Sequence, residues 1–183
     1  PWTGSEAEIG ERCEGEEEVV GKASQHDEDS CGDVGESVRI RAVNVLVMVA
    51  KSLPANSEAL RSFVKSCSST CLELAIAGRH ADVVDNEAVR KGALQVLFIA
   101  VHALSSQAEA LVPDALMVAE RALQDEDGTV REAALKLVGA CAGSCEEAFV
   151  KDEGLLSRLG RLMCGMANMD PDPPARALAQ KLA

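Results

Sequence analysis

DGTVREAALKLVGACA, residues 127–142, is the stretch whose reading decides the fold. Asp127 stands where a helix N-cap is expected, because its short acidic side chain can accept from the free amides of a first turn. Val130 and Arg131 fall in that first turn, and apolar residues then recur at Ala134, Leu135, Val138, Cys141 and Ala142. A period near 3.6 residues places these on one side and leaves Arg131, Glu132 and Lys136 for water or partners.

The same opening occurs elsewhere. Gly35-Glu-Ser-Val-Arg39, Asn86-Glu-Ala-Val-Arg90, Asp127-Gly-Thr-Val-Arg131 and Asp172-Pro-Pro-Ala-Arg176 align on their arginines, which are separated by 51, 41 and 45 residues. In the first three, Val-Arg leads an apolar helix; the fourth has Ala-Arg followed by Leu178. Each interval has room for the rest of one helix, a turn and a second helix.

Between these marks the pattern is helical. Val38–Leu53 places Ala42, Leu46, Val49, Ala50 and Leu53 on one face and stops at Pro54. Its core, Val43–Val49, also fits a buried strand, but its length and the basic pair Arg39 and Arg41 favour a helix wedged between neighbours. Ser57 can cap a helix that runs to Ala77 and closes at Gly78; Asn86 can cap one running to Leu104. A further helix covers about 108–123, with Pro113 suited to a restart. Asp125–Gly128 is a turn, Cys145–Val150 a weaker segment, and Leu155 to Asn168 another helix. The turn at Asp170–Pro174 leads to a last helix that meets the end of the sequence at Ala183.

Composition supports an all-α chain. Of 183 residues 47% are apolar but only 2% aromatic, with no Tyr, so the core is built from Leu, Val, Ala, Ile, Met and Cys, an inventory suited to closely packed helices. The net charge of -12 is uneven: residues 1–37 hold twelve acids against Arg12 and Lys22, a net of -10, and the remainder holds a net of -2. Residues 1–37 therefore read as an acidic, glycine-interrupted, flexible segment, solvated or available to a basic partner or to the chain's own groove. Residues 38–183 read as the folded domain. Without a basic stripe, nucleic acid is not an expected partner. Seven cysteines in a chain with its own core argue for reduced thiols and a cytoplasmic or nuclear setting. Neither apolar window, Ala42–Ala50 nor Ala93–Leu104, has the length of a membrane span, and the acidic N-terminus is unlike a secretory signal. The lack of an initiating Met and of a stop signal near Ala183 reads as a fragment of a longer solenoid.

The recurrence across residues 36–183 resembles the HEAT repeat family and the closely related armadillo-type repeats. That resemblance implies a right-handed α-solenoid of about three to four stacked helical hairpins, each burying its apolar faces against its neighbours. It also implies that an Asp in the turn and an Arg early in the second helix join adjacent units. Asp127 with Arg131 and Asp172 with Arg176 match both roles. Asn86 keeps only cap chemistry before Arg90, and Gly35 loses the acidic side chain before Arg39. The expected activity is that of a non-enzymatic scaffold or adaptor, binding a protein partner or adjoining repeats.

Residue candidates follow. Arg39, Arg90, Arg131 and Arg176 serve either as inter-unit bridges or as a ladder that receives an acidic peptide. Arg41, Lys91 and Lys136 are the protein-contact candidates. Cys67/Cys71 and Cys141/Cys145 are i,i+4 pairs that could bring four soft ligands to a metal or redox site if distant segments met; packed core cysteines are the plainer reading. His26, His80 and His102, even with Asp82 and Asp85 near His80, form no nucleophile–base constellation, and no phosphate or dinucleotide motif occurs, so no cofactor is expected.

Overall fold

The computed structural model describes residues 30–76 and 86–183. The acidic stretch through residue 29, with His26, and the loop carrying Gly78, His80, Asp82 and Asp85 lie outside the described residues. Among the described residues every element is helical: α1 (Ser30–Ser52), α2 (Glu58–Ile76), α3 (Glu87–Leu104), a 3₁₀ segment (Ser105–Leu111), α4 (Val112–Ala122), α5 (Gly128–Ser144), the single turn α6 (Glu146–Phe149), α7 (Glu153–Met169) and α8 (Pro173–Leu182).

Local chemistry sets these boundaries. Ser57 Oγ accepts from the Leu60 amide at 3.1 Å, and Asn86 Oδ1 from the Ala88 amide at 2.8 Å. Asp127 Oδ1 accepts from the Thr129 and Val130 amides at 2.8 and 3.1 Å, and Asp172 Oδ2 from the Ala175 amide at 3.0 Å. Each cap satisfies amides that the first turn leaves without an intrahelical acceptor. Pro113 lies in the first turn of α4, where its missing N–H costs nothing. The strand alternative for Val43–Val49 is excluded: Val43, Val47 and Ala50 are buried at helical spacing. The helix also begins at Ser30, well ahead of Val38, where the apolar pattern starts.

Sequential helices pair as hairpins, α2 with α3, α4 with α5 and α7 with α8. Across the hairpins, α1, α3, α5 and α8 touch in series, and α2, α4 and α7 form a second series. Polar links tie the second series: Arg61 of α2 donates to Gln107, and Arg158 of α7 donates to Glu120 of α4.

Position in the series explains the apolar patterns. α5 packs against α3, α4 and α8, so it buries Ala133, Leu137 and Ala140 as well as Ala134, Leu135, Val138 and Cys141 of the predicted face, whereas Ala142, near the end of the helix, is exposed. Arg131, expected to face water or a partner, is 8% exposed. α3 lies among α1, α2 and α5 and buries residues nearly all round. The helical run Glu87–Ala122 is longer than the Ala93–Leu104 window and is long and apolar enough to cross a membrane; its α3 portion packs against α1, α2 and α5.

Burial dominates the energetics. Leu94, Val96, Leu97 and Val101 of α3 are completely enclosed, and at about 1.5–3 kcal/mol each they contribute on the order of 6–12 kcal/mol before entropy is counted. Small residues let the helices approach. A Cβ on Gly92 of α3 would overlap Val43 Cγ1 of α1, and one on Gly128 of α5 would lie 2.5 Å from Asp172 Cβ in the turn before α8.

Candidate protein-interaction surface and its supporting clamps

Two buried arginines join the series of α3, α5 and α8. Arg90, in the first turn of α3, donates from Nε to Asp125 Oδ2 at 2.8 Å and from Nη2 to Asp125 Oδ1 at 3.0 Å. Arg131, in the first turn of α5, donates from Nε to Asp170 Oδ2 at 2.9 Å and from Nη2 to Asp170 Oδ1 at 2.6 Å. In each case an arginine grips the turn ahead of the next helix in the series with the same two-pronged geometry. The receiving aspartates are used in the same way too. Asp125 Oδ1 accepts from the Asp127 amide and Asp170 Oδ1 from the Asp172 amide, both at 2.9 Å.

The remaining prong of the guanidinium turns back onto its own hairpin. Arg131 Nη1 donates to the carbonyls of Asp125 and Glu126, each at 2.8 Å. Arg176 Nη1 donates to the Asp170 carbonyl at 2.7 Å. The junction around α5 thus forms a chain: Arg90 to Asp125, the same turn to Arg131, Arg131 to Asp170, and that turn to Arg176.

The division of labour differs from the expected one. Asn86, Asp127 and Asp172 cap their own helices, and the carboxylates that receive the preceding arginine are Asp125 and Asp170. The sequence carried a signal for this that the turn-plus-arginine pattern passes over. Both turns read Asp-X-Asp, at Asp125–Asp127 and Asp170–Asp172, with the clamp two residues ahead of the cap. The matching position before Asn86 is Val84, which has no carboxylate. Arg39 is exposed and makes no hydrogen bond or ion pair among the described residues, so it does not extend the clamp series.

The electrostatics follow the geometry. Arg131 beside Asp170 holds that carboxyl below the ordinary aspartate range against the opposing effect of burial. The Thr129 hydroxyl, helped by the first-turn amides, does the same for Asp127.

The three protein-contact candidates occupy different settings. Arg41 is exposed on α1, Lys91 is half-buried on α3, and Lys136 is exposed on α5 but paired with Glu132 at 2.7 Å. Measured from the aligned arginines they stand two, one and five residues on, so they do not repeat one position and do not form a single row. Arg41 has the most distinctive surroundings. Val38, Val45 and Met48 of α1 are 59, 56 and 70% exposed and share its side of the helix at three- and four-residue steps. No residue of that stripe was marked by the sequence except Arg41, because the periodicity of α1 is apolar on several sides.

The four cysteines are not gathered into one metal site among the described residues. Cys67 and Cys71 are buried in α2, Cys141 is buried in α5 and Cys145 just after it, and no group of three or more His, Cys, Asp or Glu side chains among the described residues is placed to hold a metal. The α2 and α5 cores belong to different helix series, which keeps the pairs apart. Burial pushes the Cys141 thiol up to about 12, and the hydrogen bond that Cys71 gives to Cys67, with burial, raises Cys71 and lowers Cys67. Cys145 Sγ donates to the Ser105 carbonyl at 2.9 Å. These thiols fill and fasten the core. No family model, curated protein or solved structure matches this chain, so its class rests on its own geometry: an all-helical fold of hairpin-like pairs.

Proposed function

We propose that the chain is a HEAT- or armadillo-like stack, a right-handed α-solenoid, serving as a non-enzymatic scaffold that binds a partner protein on its helical surface in the cytoplasm or nucleus. The observation that carries this reading is the tandem clamp: Arg90–Asp125 and Arg131–Asp170 repeat one two-pronged contact between successive hairpins. A contact repeated in phase is what a one-dimensional array requires, since every unit must hold the next in the same orientation. The outer stripe of α1 supplies an apolar surface with a cation in it, the chemistry of a helix-docking face.

The test places a photo-crosslinking residue at positions 41, 91 and 136 in turn, and in parallel at 45. Crosslinks from positions 41 and 45 to one defined protein, lost when Met48→Glu charges the stripe, support the reading. Absence of a protein adduct at all four positions overturns it.

A further inference from the structure

α1 is the long helix with the least cover. It rests mainly on α3, burying Val43, Val47 and Ala50, while Val38, Val45, Met48 and Val49 are exposed. Three- and four-residue steps lead from Val38 through Ala42 and Val45 to Met48 and Val49, so these side chains make one apolar strip along the outer side. Arg39 and Arg41 stand towards one end of the strip and Lys51 at the other, all exposed and none in an ion pair with a described residue. From Ser37 to Ser52 there is no Asp or Glu. An exposed apolar strip with uncompensated positive charge at both ends favours an acidic ligand.

The same chain carries one. Residues 1–29 hold ten acids against Arg12 and Lys22. Glu14, Glu16, Glu17 and Glu18 precede the apolar pair Val19–Val20, and Asp27, Glu28 and Asp29 follow it. Laid antiparallel on α1, this acidic–apolar–acidic order meets a basic–apolar–basic one. The connection is long enough. Val45 lies fifteen residues into α1 from Ser30, about 22 Å along the helix. The ten residues from Val20 to Ser30 span up to about 33 Å. The α1 helix of a second copy is a poorer match, because it would set its own three cations against these.

We propose that residues 14–29 fold back over the outer side of α1, with Val19 and Val20 on the patch around Val45 and Met48 and the flanking carboxylates at Arg39, Arg41 and Lys51. Each ion pair at so exposed a surface is weak. A short tether nevertheless holds the segment at an effective concentration on the order of millimolar, so weak contacts suffice. The proposal rests on the scaffold reading only for its consequence: segment and partner protein compete for one face, and α1 is closed to the partner while the segment lies on it.

The experiment places a photo-crosslinking residue at position 45 of the full, purified chain and locates the adduct by mass spectrometry. The expected adduct is intramolecular and centred on Val19–Val20. A crosslinker at position 117, exposed on α4, is the control and should capture that segment far less. Glu14→Lys, Glu16→Lys, Glu17→Lys and Glu18→Lys together should cut the yield at position 45 about fivefold, the size expected from inverting a few exposed ion pairs. Adding Arg39→Glu, Arg41→Glu and Lys51→Glu should restore it, with circular dichroism checking that the helices persist. The glutamate substitutions decide by themselves if the α1 reversals unfold the chain, since an undiminished yield overturns the proposal. Absence of an adduct within residues 14–29, or equal capture at position 117, also overturns it. Adducts that form only between isotopically distinct chains assign the face to a second copy's segment and overturn it too. The two readings fail separately: an intramolecular adduct without a partner adduct counts against the scaffold alone, and a partner adduct without an intramolecular one counts against this proposal alone.

Discussion

Removing the carboxylate of Asp170 probes the junction between α5 and α8 most directly. The Arg131 and Asp170 side chains are 9% and 2% exposed, so Asp170→Ala leaves a guanidinium shielded from water with two of its donors unanswered. Losing one partner of a buried pair costs about 3–5 kcal/mol, mostly from the stranded charge. The Asp172 amide also loses its acceptor, which loosens the turn that caps α8. With a urea slope of about 2 kcal/mol/M, the expected fall in the unfolding midpoint is about 1.5–2.5 M. The control is Lys136→Ala, which removes a bridge whose side chains are 50% and 28% exposed and should cost about 0.3–0.5 kcal/mol. Hydrogen exchange adds a spatial test: amides of α7 and α8 should lose protection first while those of α3 keep theirs. The double variant Arg131→Met, Asp170→Leu should recover much of the loss, because it removes the stranded charge instead of creating one. A midpoint shift for Asp170→Ala no larger than that of Lys136→Ala would refute the clamp argument.

Other consequences are open to simple measurement. Gly92→Ala gains about 1 kcal/mol in helix propensity but drives a Cβ into Val43 at a cost of about 2–3 kcal/mol, so a net loss of about 1–2 kcal/mol is expected, with recovery when Val43→Ala is added; urea unfolding of the three variants decides it. Asp170 and Asp127 both have depressed carboxyl pKa values in the folded state. Their contribution is therefore present above the unfolded aspartate value of about 3.9 and is lost as pH falls through the folded values, so the urea midpoint should hold from pH 7 to 5 and decline below about pH 4. Asp170→Asn should flatten part of that decline. In native protein, iodoacetamide followed by mass spectrometry should modify the exposed Cys164 well before Cys67, Cys71, Cys141 and Cys145, and mild urea should abolish the difference.

What the amino-acid order determined by itself was local. The 3.6-residue apolar period, the caps at Ser57, Asn86 and Asp127, and the breaks at Pro54 and Pro113 are short-range effects of backbone geometry and hydrogen bonding, and they place most helices within a few residues. The start of α1 was less legible, since Ser30–Ser37 carries little apolar pattern and helix formation there extends from the packed region that follows. Only tertiary structure decided which polar groups go inside. Arg131 looks like a surface residue on its own helix, yet packing of α8 against α5 encloses it and brings Asp170 to it across 39 residues. The same packing makes Asp125 a clamp, while Asp127, two residues on, is a cap by local geometry alone. It likewise keeps the α2 and α5 cysteines apart, because i,i+4 spacing fixes a direction on one helix but says nothing of which helices meet. Intervals along the chain encode elements; the pairing of charges between them depends on how those elements bury their apolar faces.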